Sequence, residues 1–172
     1  MQNVFSYPLK LEDMSASTQK FKLMADTKQL EYITQIMKVP AVKSFYAEIN
    51  VKLFKKEHLV EVSGFVDSDV EQISVISLEN FIKPYHSEFS LKFDTKMTPS
   101  DLKELDFEYD DDLLDILDNG QIDLASIAME HLALVLDDFP RKEGEEFSFK
   151  SEFDEETTEA SNPFSVLKKL KK

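Results

Sequence analysis

The 172-residue sequence has no cysteine, only three glycines and few cations: 20 Lys/Arg stand against 34 Asp/Glu, for a formal net charge of −14. Without thiols, disulfides, thiolate nucleophiles and cysteine-type zinc sites are excluded. Three glycines leave no loop that could cradle a phosphate through closely spaced backbone amides. No stretch approaches the roughly 18 apolar residues of a membrane-spanning helix. Residues Met1–Pro8 also lack the basic start and apolar stretch of a secretory leader. The expectation is a soluble cytoplasmic protein that engages no membrane.

The charge is uneven. Residues 1–100 are close to balanced, and the acidic surplus lies in residues 101–172. Nucleic acid binding requires cations that displace condensed counterions, so this distribution argues against unaided phosphate binding and for a basic protein partner.

What is present is patterned. Phe5–Leu11 and Phe21–Ala25 read as short extended pieces around the turn Ser15-Ala16-Ser17-Thr18. Asp26 with Gln29 forms a capping-box signature; Leu30, Ile33 and Met37 follow at helical spacing, and Pro40 lies past the end. The period then changes to two. Phe45, Ala47, Ile49, Val51 and Leu53 alternate with polar residues, as in a half-buried antiparallel strand. Val60, Val62, Gly64 and Val66 resume after Lys55-Lys56-Glu57, and Phe89, Leu91 and Phe93 after Pro84, with another strand expected over 70–82. Gly64 marks either a bulge or a close backbone approach.

The segment from Gly120 to Lys142 specifies a second helix at both ends. Asp123 can cap the first amides, Ile122 and Ile127 stand at hydrophobic-staple positions, and Pro140 stops it. Leu124, Ile127, Ala128, Leu132, Val135 and Leu136 form a broad apolar arc opposite Ser126, Glu130, Ala133 and Asp137, so the helix is mostly buried. Beyond Arg141 the chain is rich in Glu, Asp, Ser and Thr and cannot offset its ordering entropy by burial. Asn162–Leu170 restores a helical signal with Pro163 at a permitted first position. These features predict an α+β protein: a single domain over 1–142 with a hairpin-rich antiparallel sheet against helices near 27–38 and 123–138. A flexible acidic linker over 143–161 and a short basic amphipathic helix over 162–172 would follow.

Several stretches, in order, carry a family resemblance: Phe5-Ser6-Tyr7-Pro8-Leu9, Gln72–Glu79, Ile122–Leu134, Asp137–Gly144 and Asn162–Leu167. On these the chain resembles the YceD family, the large ribosomal RNA subunit accumulation proteins, and within it an alphaproteobacterial-like branch. The resemblance implies a cytoplasmic factor supporting synthesis, processing or stability of large-subunit (23S) ribosomal RNA, with no catalytic residues to transfer. Similar proteins often carry cysteine where this chain has Ser74 and proline where it has Asn80. Metal binding through those cysteines fails here, and any role of the central motif rests on Gln72 and Glu79.

Enzyme and cofactor signals are essentially absent. Asp110, Asp111, Asp112, Asp115 and Asp118 could gather a hard cation, but a calcium loop opening at Asp115 would have Leu117 and Ser126 in place of ligands. A solvated acidic face or a surface for a basic partner is the better reading. Glu130-His131 lacks the second histidine of a zinc-protease motif, so His131 reads as a hydrogen-bonded core residue. His58 and His86 read as strand-edge residues, and Ser63 and Ser74 have no nucleophile context.

Asp138-Phe139-Pro140-Arg141-Lys142 has two readings. Phe139 and Arg141 are exposed interface anchors, or Phe139 closes the core while Arg141 meets the helix C-terminal carbonyls. In the tail, Phe164 and Leu167 could dock while Lys168, Lys169, Lys171 and Lys172 touch phosphate, or the tail could fold back on its own acidic half. The expectation is a noncatalytic factor without cofactor or metal that binds a basic ribosomal protein, an assembly factor or an rRNA-processing enzyme. The alternative is direct RNA binding by the sheet face and lysine tail.

Overall fold

In the computed structural model, which describes residues 5–15, 17–96, 115–117 and 120–146, alternation and capping produce the elements they predict. Strand β1 (Pro8–Lys10) and a short 3-10 turn (Leu11–Asp13) precede β2 (Gln19–Met24). Helix α1 (Thr27–Met37) starts at a complete capping box: the Asp26 carboxylate accepts from the Gln29 amide at 2.9 Å, and the Gln29 side chain accepts from the Asp26 amide at 2.8 Å. It ends at Lys38 in the left-handed region, φ 56°.

Strands β3 (Ala41–Val42), β4 (Tyr46–Phe54), β5 (Leu59–Ile73) and β6 (Asn80–Asp94) follow, then β7 (Asp115–Ile116), β8 (Gln121–Asp123) and α2 (Leu124–Val135). The main sheet has the order β2-β4-β5-β6-β7, with β3 also on β5; β1 and β8 form a separate pair. All pairings are antiparallel except β6 with β7. The fold is α+β, and the described residues up to Lys142 belong to one compact unit.

One face of the sheet is apolar by strict alternation. Ala47, Ile49 and Val51 of β4, Val60, Val62, Val66 and Val70 of β5, and Phe89 and Phe93 of β6 are all buried. Helix α2 lies against β5 and β6 and adds Leu124, Ala125, Ile127, Ala128, Met129 and Leu132 to the same core. Asp123 fixes its start. One carboxylate oxygen accepts from the amides of Tyr7 (2.8 Å), Ala125 (3.0 Å) and Ser126 (3.3 Å), and the other from the Ser6 hydroxyl (2.6 Å). Burial alone would raise this carboxyl's pKa, but the Ser6 hydroxyl and the Tyr7 and Ser126 amides hold it below the ordinary aspartate value. The staple residues Ile122 and Ile127 are both buried, and the Leu124 amide donates to Tyr7 O.

The structure corrects five expectations. Residues 70–82 are not a strand of their own: β5 runs unbroken to Ile73, residues 74–79 form the turn, and β6 begins at Asn80. Val75 and Leu78, apolar residues of that stretch, are exposed on the turn. Pro84 does not break β6. It faces Asp69, whose amide and carbonyl both point the other way, toward Ser44 and Lys43, so Pro84's ring nitrogen faces away from β5 and no ladder bond is lost.

Of the two readings of Gly64, the close backbone approach is the one the structure bears out. Register there is continuous, and a Cβ would lie 2.2 Å from Glu48 O. The extra residue of a bulge sits at 43–45, where the pairing shifts by one between Val42↔Val70 and Tyr46↔Asp67. Helix α2 ends at Val135, short of 138, because Leu136 turns to extended backbone (ψ 139°) and carries Asp137 back to the sheet.

The histidines complete the corrections. His131 is half-buried and stacks flat on Phe89, with ring centroids 4.6 Å apart. His86 is not at a strand edge but mid-β6, its Nδ1 2.6 Å from Asp67, which raises its pKa above the ordinary value. Of the expected linker and terminal helix, only residues 143–146 lie within the described residues.

Candidate functional site

Three elements converge at one end of the sheet. The C-terminal turn of α1 with Val39 and Pro40, the last residues of β5, and the exposed flank of α2 with the segment that follows it enclose a cleft of about 660 Å³. Ile36, Met37 and Ile73 form one part of its lining, and Met129, Ala133 and Leu136 face them from α2 and beyond. The acidic lining residues are Glu130, Asp137 and Asp138, against one cation, Lys38.

At the base lies a polar network. Gln72, 4% exposed, is bonded through its side-chain amide to the Tyr85 hydroxyl, which also lies 3.0 Å from Asp137 Oδ2. One phenolic proton cannot serve two acceptors. With the Gln72 amide turned so that its nitrogen faces the phenol, Gln72 donates to Tyr85 and Tyr85 donates to Asp137. Lys83 Nζ closes the chain at 2.6 Å from Asp137 and holds that carboxyl below its ordinary pKa, with the Tyr85 hydroxyl contributing in the same direction against burial. Burial, then the Asp137 hydrogen bond, pushes the Tyr85 phenol up to about 12, so it remains a donor at any physiological pH.

The 74–79 turn is self-capped. Ser74 Oγ accepts from the amides of Ile76 (3.1 Å) and Ser77 (3.3 Å), and the Ser74 amide donates to Glu79 O. That side chain is fully buried, which gives a small polar residue a capping role here. The turn is tied to the segment after α2 by the Val75 amide donating to Pro140 O and by a Lys142–Glu79 ion pair.

Thus the structure brings together Gln72, Glu79, Asp138, Phe139 and Arg141, which come from the two ends of a folded segment, residues 72–141, that closes on itself through these bonds. Gln72 is a buried support, whereas Glu79, Asp138, Phe139 and Arg141 are exposed. Phe139 is 74% exposed and does not close the core: the chain has already left the helix at Leu136, and Pro140 turns it toward the 74–79 turn. Asp110, Asp111, Asp112, Phe164 and Leu167 lie outside the described residues. Sequence reasoning missed Tyr85, Lys83 and the α1 wall of the cleft, because each joins the site only through long-range pairing. Among the described residues no group of three His, Asp or Glu side chains is placed to hold a metal ion, and no helix is long and apolar enough to cross a membrane.

The sequence model of the family described as large ribosomal RNA subunit accumulation protein YceD matches residues 62–171. The chain belongs to the YceD family. The matched span takes in β6, α2, the 74–79 turn and the segment after α2, so all of the cleft except its α1 side falls within the YceD match. Membership ties this YceD chain to accumulation of large-subunit ribosomal RNA. No curated protein and no solved structure gives a significant match.

Proposed function

We propose that the chain is a noncatalytic ribosome-biogenesis factor that supports synthesis, processing or stability of large-subunit ribosomal RNA by holding a basic ribosomal protein, assembly factor or processing enzyme. The reading is that of a cytoplasmic adaptor. The observation that carries it, beside family membership, is the exposed surface around the 74–79 turn: Phe139, Val75 and Leu78 stand in solvent beside exposed Asp138 and Arg141. Aromatic and guanidinium groups of this kind dominate protein interfaces. Acidic residues at 110–112 would add complementary potential, and Phe164 and Leu167 a second apolar contact.

The outer sheet face favours a protein partner over RNA. Three of its lysines are ion-paired within the sheet, Lys20 and Lys22 with Glu48 and Lys43 with Glu71, and Lys52 lies over the Phe54 ring. Asp67 and Glu88 add further negative charge beside His86. Such a face offers phosphate little uncompensated positive charge.

Depletion tests the reading directly. Large-subunit rRNA is expected to fall while small-subunit rRNA is maintained, measured on total RNA from depleted cells; equal loss of both counts against it. Native affinity capture with and without RNase then separates the mechanisms, since partners that survive RNase mark protein contact.

A further inference from the structure

From the cleft between α1, β5 and α2 we infer the chemistry of the partner segment: a lysine- or arginine-rich peptide that inserts aliphatic side chains between Ile36 and Ala133. This rests on the proposed protein-binding reading and specifies the occupant of its site. Three observations carry it.

The first is composition: an apolar lining carries three acidic residues and one basic one. Of the acids, Asp137 is committed to Lys83, but Glu130 and Asp138 make no ion pair among the described residues. Two carboxylates at the mouth of an apolar cleft complement a cation flanking an apolar anchor.

The second is extent. Ile73 lines the cleft, Ile82 is its diagonal neighbour across the β5–β6 pairing, and both are about half exposed or more. Phe139 adjoins Pro140 of the lining, and Leu134 of α2 is 73% exposed. Apolar surface therefore continues beyond the cleft, further than a small molecule would cover but suited to a polypeptide segment.

The third is rigidity. The Gln72–Tyr85–Asp137–Lys83 network and the Val75–Pro140 bond fix the base and one rim, so the cleft is preformed and little ordering is required of it on binding.

The full chain is titrated with a fluorescent peptide of about 15 residues carrying leucines at i, i+3, i+4 and i+7 among lysines, and anisotropy is read at physiological salt. Saturable binding is expected, weakened at least about tenfold by leucine-to-serine changes in the peptide, by Ala133→Trp, which fills the cleft from an exposed helix position, and by Ile36→Lys on the opposite wall. Glu130→Lys with Asp138→Lys should weaken binding and flatten its salt dependence. Glu61→Lys, on the other face of the sheet, should leave the cleft's discrimination between the leucine and serine peptides intact. Thermal melts confirm folding, with Ile36→Lys and Ala133→Trp serving as independent checks on one another.

Absence of binding, indifference to the leucines, or retention in both folded cleft variants overturns the inference. So does self-association that fills the cleft, or an rRNA fragment displacing the peptide while avoiding both acidic residues. Native capture separates this from the broader reading. If Ala133→Trp retains RNase-resistant large-subunit partners, the cleft assignment fails and the adaptor reading stands; if the unaltered chain captures none, the adaptor reading itself fails.

Discussion

Tyr85 shows how one hydroxyl can organise a region. It lies between Gln72 of β5 and Asp137 beyond α2, joining the sheet to a segment 52 residues away in sequence. Among the five tyrosines it is expected to ionise near pH 12, read as a late step in the ultraviolet phenolate titration that disappears in Tyr85→Phe. That substitution should also cost about 1–3 kcal/mol in denaturant unfolding, since it leaves polar groups at the cleft base without their partner. At this scale the sequence was partly legible. Gln72 stood out within a family motif, but its burial did not, because the phenol that satisfies it comes from the next strand. Phe139 was undecidable: an aromatic before a proline suits either a core or an interface, and only the early end of α2 places it outside.

Elements were the most readable level, wherever a local rule determined them. Asp26 with Gln29, and Asp123 with its staple, identify both helix starts because caps act over three or four residues. Asp123→Ala is expected to lower stability by about 1–2 kcal/mol, measured by denaturant unfolding. The pH dependence follows from its depressed pKa: the group's contribution is present above the unfolded value near 4 and is lost as pH falls from there through the folded value. Asp123→Asn should therefore flatten that part of the acid limb. Gly64→Ala should cost at least about 1–3 kcal/mol, because the obstacle at 2.2 Å is the Glu48 backbone and cannot swing aside; thermal unfolding reads this. The length of β5 and β6 was hidden because Pro84 resembles a boundary until the direction of its ring nitrogen is known.

For the molecule as a whole, the order of motifs pointed through a family resemblance to a large-subunit rRNA factor, and family membership supports that level of description. The cleft was not legible. It needs α1, β5 and α2 side by side, and no local pattern encodes such a meeting. The exposed anchors give a test at this scale: Phe139→Ala with Arg141→Ala should reduce RNase-resistant capture of large-subunit proteins at least about tenfold while unfolding stability changes by no more than about 0.5 kcal/mol. Pro84 has one more consequence. Among the described residues only β7 pairs with β6 on the side its ring nitrogen faces, at Phe93 and Asp94, and a second molecule seeking to extend the array along the rest of that edge would find a rung with no donor at Pro84. A factor this long-stranded is thereby discouraged from stacking into fibrils with its own copies, and its adhesiveness is left to side chains, which can tell partners apart.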